Sequence, residues 1–250
     1  MSKSTLTIEA RADLGDTPYE GPTPARVWGD QWLRVSEKVL KGLNHKLTNR
    51  VAGLEAVVSV FEPEDHADPE LVRALSAEVM RLHELLELYR LMPAEPFANP
   101  EPCRLQDVIP QMLKLHLHHS DLKEIPCELE YDANAQPILV RQSALLRCLL
   151  VLLESGAGNA LRSGVNEPLR LRYSQRGQHV IIEFEAPAPS GQLLFSGEGS
   201  LLHAVRSALG HAHGVVDAAA TRADGYDIIR YELCLPTLSE ARRMEKSRAG

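Results

Sequence analysis

Leu40, Leu43, Leu47, Val51, Leu54 and Val58 recur at helical spacing. At about 100° per residue they fall within roughly 40° of one line. Such a stripe predicts a long helix over about 26–61 that packs by one face. A second stripe, Leu71, Leu75, Val79, Leu82, Leu86 and Tyr89, predicts another helix ending near Leu91. Residues 62–69 form the turn between them, with Asp68 as N-cap and Pro69 at the first helical position. Two helices with one apolar stripe each make a hairpin, and a lone hairpin leaves much of both stripes wet. Pairing two hairpins into a four-helix bundle buries them, so a homodimer is expected. The other solution is that the stripes pack on the rest of the same chain.

The polar side of the first helix is unusual. His45 falls about 160° from Leu47, opposite the stripe, and Asn49 lies one turn further along the same face. Lys38, Gly42, Ala52 and Ala56 make up the rest of that face. A solvated helix face normally carries long charged side chains, but this one is nearly bare around the histidine. That favours close docking of another protein beside an imidazole, the arrangement that phosphoryl transfer through histidine requires. Gly42 points the same way, because glycine inside a helix costs on the order of 1 kcal/mol relative to alanine.

Residues 1–25 are rich in glycine and proline and are expected to be a mobile tail; 26–92 form the helical hairpin. Pro93, Pro96, Pro100 and Pro102 mark a linker over 93–103. From 104 to 237 the pattern is mixed α and β. Helices are expected at Gln106–His119, Arg141–Arg162 and Ser200–His211, and a strand at Cys127–Tyr131. Hairpins are expected around Arg176-Gly177 and Asp224-Gly225. Residues 238–250 form a charged tail, read as a solvated helix end or disordered. The overall class is therefore α+β.

The net charge of -7 and the absence of a basic stripe argue against a nucleic-acid partner. No apolar run is expected to be long enough to span a membrane, and Met1 is followed by a polar segment rather than a signal peptide. Cys103, Cys127, Cys148 and Cys234 are scattered, as expected of a reduced cytoplasmic protein. His116, His118 and His119 cluster near a helix end but lack the further ligands a metal needs, so no metal site is expected.

A helical hairpin with a mid-helix histidine, then a linker, then a mixed sandwich resembles the core of bacterial sensor histidine kinases over Arg26 to Pro236. The segment Asn44-His45-Lys46-Leu47-Thr48-Asn49 is similar to the HWE-like subfamily, in which a basic residue follows the phosphoacceptor. The resemblance implies a dimeric four-helix bundle followed by a Bergerat-type, ATPase-like sandwich. It assigns His45 as phosphoacceptor, with Asn49 orienting the site. Lys46 and Arg50 would offset negative charge on a partner.

The nucleotide motifs that the family carries are missing. Its two Mg²⁺- and phosphate-binding asparagines fall at Val151 and Ser155, and valine offers a hard cation no oxygen. Its adenine-binding aspartate is absent from the stretch around Ala186-Pro187-Ala188-Pro189, and its third lid glycine is Leu201. Gly197 and Gly199 remain at a helix start. The resemblance therefore implies a histidine phosphotransferase that binds no cofactor of its own. It would exchange phosphate with the receiver domains of response regulators or hybrid kinases, and those receivers would supply the Mg²⁺. A divergent autokinase and a non-catalytic scaffold are the alternatives.

Overall fold

The computed structural model describes residues 23–60, 69–93, 99–190, 198–222 and 226–249. The 1–22 tail, the 61–68 turn with Asp68, most of the lid stretch with Gly197 and the Asp224-Gly225 turn lie outside the described residues. Helix α1 spans Pro24–Ser59. Thr23 caps it by accepting from the Arg26 N–H at 3.4 Å, and Pro24 stands at its first position, where no amide hydrogen is needed. Helix α2 spans Pro69–Arg90 and packs along α1.

The second module is built on a five-stranded sheet. Strands β2 (Cys127–Tyr131), β4 (Leu169–Arg176), β5 (His179–Ala188), β6 (Val215–Arg222) and β7 (Asp227–Pro236) lie in the order β2-β4-β5-β7-β6. Only the β2–β4 pairing is parallel. The two-residue loop Gly177-Gln178 closes β4 onto β5, and Gly177 takes the left-handed backbone (φ 61°) that such turns require. Period-2 alternation sends Leu171, Tyr173, Ile182, Phe184, Tyr231 and Leu233 to one buried face. The opposite face carries charged rows, with Arg172 bonded to Glu130 at 2.8 Å and Arg176 to Glu183 at 3.3 Å. That face is solvated, so the module has two layers.

Helices α3 (Leu105–His116), α4 (Gln142–Ser163) and α5 (Glu198–Ala208) belong to the second layer. Among the described residues α4 is the one helix long and apolar enough to cross a membrane, which the sequence reading overlooked. Here it is a core helix, with Leu145, Cys148, Leu149, Leu152 and Leu153 fully buried. Gly164 in the left-handed conformation (φ 68°) ends it.

Several expectations are corrected. The stretch read as linker ends in a strand, β1 (Glu101–Cys103), which pairs antiparallel with β3 (Ile138–Val140). The charged tail holds a helix, α6 (Leu238–Ala249), one of its two expected states, but not a wholly solvated one: Ala241 is buried where α6 packs on β3 and β7. The apolar stripes are not single seams. Of the six stripe residues of α1 only Leu43 is buried, joined there by Val35 and Val39. On α2 the buried residues are Leu85 and Leu88, while Val79 is 49% and Leu86 42% exposed.

The hairpin and the sandwich are joined along the first half of α1, which packs on α4 and α5. Arg147 of α4 stacks its guanidinium 4.7 Å from the Trp32 ring and donates to the Met92 carbonyl at 3.2 Å. Arg34 pairs with Glu154 at 2.9 Å, and Lys38 with Asp121 at 2.7 Å. The apolar stripe near Val39 is thus covered by the same chain, the second of the two solutions that the sequence leaves open.

Candidate functional site

His45 sits at mid-length on α1 with its side chain exposed. Asn49, four residues on, brings its Nδ2 to 3.3 Å from His45 Nε2. An amide nitrogen donates, so the tautomer that fits this contact accepts at Nε2 and carries its proton on Nδ1. That tautomer is the nucleophilic one at Nε2. The i, i+4 spacing on one helix face produces the contact with no help from tertiary structure.

The backbone under His45 is held firmly. Thr48 Oγ1 donates to the Asn44 carbonyl at 3.0 Å, and the Tyr89 hydroxyl of α2 donates to Asn44 Oδ1. One turn below, Arg50 reaches across to Glu78 of α2 at 3.2 Å, and Arg81 holds the same carboxylate. The two arginines pull Glu78 below the usual carboxylate range against the opposing effect of burial. Arg50 is therefore a cross-brace of the hairpin, committed within the chain.

The bare face divides in two. Ala52 and Ala56 are exposed beside His45 and Asn49. Lys38 and Gly42 are not open, and the sequence reading of that face is corrected there. Lys38 is bound to Asp121, and the Ser120 N–H donates to the Lys38 carbonyl at 3.3 Å. Gly42 lies against the end of α3, and a Cβ built on it would stand 1.7 Å from the His118 carbonyl oxygen. Its lack of a side chain serves packing of the sandwich on α1, one turn from His45. Lys46 stays exposed, and its charge acts with burial to push the His118 imidazole down.

Two of the three histidines at the end of α3, His116 and His119, are bonded within the chain. His116 Nε2 lies 3.4 Å from the Ile125 carbonyl. His119 Nδ1 accepts from the N–H groups of Asp121 and Leu122 at 3.2 and 3.1 Å. Burial, aided by the neighbouring His116, lowers His119 to about 4, so the ring is neutral at neutral pH.

The described residues at which the sequence resemblance finds nucleotide contacts missing are engaged within the chain. Val151, Ala186 and Leu201 are all buried. Ser155 Oγ lies 3.2 Å from the hydroxyl of Tyr231, itself fully buried in the sheet. Gly156 lets α4 touch β5, since a Cβ there would stand 3.2 Å from the Ala186 methyl. Arg147 and Tyr231 were not found by sequence reasoning. Each acts through a partner far away in the chain, and no local spacing signals it.

No protein-family model matches the chain, and neither does any curated protein sequence. Among solved structures the chain is similar to the histidine kinase AdeS of Acinetobacter baumannii, with 18% identity and a TM-score of 0.42 over 80% of this chain and 97% of AdeS. Full-length ShkA in complex with AMPPNP gives 15% identity and 0.41 over 80% of this chain, which spans 46% of ShkA. The histidine kinase ThkA, solved with the response regulator TrrA, gives 12% and 0.40 over 84% of this chain and 64% of ThkA. All three likenesses are distant.

Proposed function

We propose that this protein is a histidine phosphotransferase of a phosphorelay, with His45 as the phosphoryl carrier. The supporting observation is the exposed Nε2 of His45, 3.3 Å from the Asn49 amide, on a face that is small and open toward Ala52 and Ala56. Nε2 attacks the phosphorus of a receiver's phosphoaspartate. The N–P bond forms, the acyl P–O bond breaks, and the aspartate leaves with the electron pair as a carboxylate. The ring proton stays on Nδ1. Reversal onto a second receiver regenerates the neutral imidazole. The receiver supplies the Mg²⁺, while Lys46 offsets negative charge on the docked partner.

ATP plays no part in this reading. Val151 offers no oxygen to a cation, Ser155 faces Tyr231, and α4 rests on β5 at Gly156. The active unit is a homodimer. Val51 and Val58 of α1, 42% and 56% exposed, and Val72, Val79 and Leu86 of α2 leave an apolar band along the hairpin, and a second hairpin would cover it. Incubation with labelled ATP and Mg²⁺ should leave the protein unlabelled, and incubation with a labelled phosphoreceiver should label it. Labelling by ATP without a receiver would make it a divergent autokinase. Receiver binding without labelling would make it a scaffold.

A further inference from the structure

Between helices α1, α2 and α3 lies an open cleft of about 560 Å³, within the size range of small-molecule sites. It is separate from the His45 face and from the packed α4–β5 contact. Its floor is apolar, with Leu85 and Leu88 buried and Leu91 and Leu117 beside them. Its rim is cationic and comes from both modules: Lys46 projects from the hairpin and Lys114 from α3. Neither lysine forms an ion pair among the described residues, and both are exposed. Arg50 and Arg81 also line the cleft and share one carboxylate, Glu78, between them. Of the lining carboxylates, Glu87 is held by Arg90 and lies 3.7 Å from His83. Glu84 alone is unpaired to set against this surplus of positive charge. His118 lines the cleft as well, and its buried Nδ1 has no hydrogen-bond partner among the described residues. Buried polar atoms are nearly always bonded, so this nitrogen is an unsatisfied group at the edge of the cleft.

We propose that this cleft binds a small organic anion, an apolar body bearing a carboxylate or phosphate group, gripped by Lys46 from the hairpin and Lys114 from the sandwich. The leucine floor takes the apolar part. The two ammoniums converge on the charge, and His118 offers one further polar contact. Such a ligand bridges the two modules one residue from His45, so it tightens their docking. The proposal shares Lys46 with the transfer reading but does not need phosphate on His45, and Lys114, which that reading does not use, tests it separately.

The probe is 8-anilinonaphthalene-1-sulfonate, an aromatic anion that fluoresces on entering an apolar site, titrated into the full chain. Binding should saturate at one molecule per chain and weaken as salt is added. Lys114→Glu should weaken it by about tenfold or more and Lys114→Gln by less, since Lys114 is exposed and its loss leaves the fold intact. Lys123→Glu reverses a lysine outside the cleft and should leave binding unchanged. Displacement by citrate would identify a carboxylate site, and displacement by pyrophosphate a phosphate site. Displacement by neither would overturn the proposal, as would unchanged affinity in Lys114→Glu or uptake of several probe molecules per chain.

Discussion

The two halves of helix α1 follow the same pattern of apolar and polar residues yet meet different surroundings. In the first half Val35, Val39 and Leu43 are buried, and the polar flank is fastened by Arg34, Lys38 and Gly42 to the sandwich. In the second half His45, Asn49, Ala52 and Ala56 are exposed on one side, and Val51 and Val58 on another. The first half is finished as part of a core. The second half holds two unfinished surfaces, one small and polar and one apolar. A helix that is closed at one end and open at the other positions a reactive side chain rigidly while leaving it reachable.

The contrast can be broken by equal changes on the two halves. Leu43→Ala removes a fully buried side chain and should cost about 2–5 kcal/mol in chemical denaturation. Val51→Ala should change the stability of the isolated chain by only about 0.5 kcal/mol. A similar loss from both would mean that the halves are alike. Next in size is Gly42→Ala. Overpacking costs about 1–3 kcal/mol, against a gain in helix propensity of up to about 1 kcal/mol. A Cβ 1.7 Å from a backbone oxygen makes the clash prevail, so the variant should unfold at lower denaturant. Ala56→Leu, the same kind of enlargement on the open half, should leave the midpoint unchanged and slow transfer from a receiver.

The apolar band is tested by Val51→Asp combined with Val79→Asp. Sedimentation equilibrium should show a dimer for the natural chain and a monomer for the variant, with unchanged circular dichroism. Dimers in both would move the contact elsewhere.

A smaller effect belongs to the closed half. His119 is neutral in the folded chain down to about 4, whereas the unfolded chain takes up its proton near the ordinary value of 6.5. Between those values the unfolded state binds more protons, so stability falls as pH drops through that window. His119→Asn keeps an acceptor for the Asp121 and Leu122 amides and removes the titration. Its stability should depend less steeply on pH between about 6.5 and 4. Asp121, held low by its bond to Lys38 and then by Ser120, adds a further loss only below the ordinary carboxylate range.

How much was legible follows from the range of each signal. Helix periodicity, strand alternation and the i, i+4 pair His45–Asn49 are local, and the sequence carries them nearly to the residue: β2 lies at Cys127–Tyr131 as expected, and α4 within a residue or so at each end. Strands β1 and β3 have three residues each, too short for any period to show. Gly42 was noticed for the right reason, close approach, but its neighbour is His118 of the same chain. Arg147 lies within an apolar helix and gives no sign of the Trp32 and Met92 contacts that make it a junction between modules. The apolar stripes lead to the expectation of a dimer, with self-packing as the other solution. The structure buries one part of them and leaves the other exposed.

The most direct test of the central claim is phosphoryl transfer to His45 from a partner. A receiver domain phosphorylated with labelled phosphate is mixed with the natural chain and with His45→Ala, without ATP. The natural chain should gain an acid-labile, base-stable label at His45, and His45→Ala should gain none although it folds normally. Equal labelling of both chains, or label on another residue of the natural chain, would contradict the account.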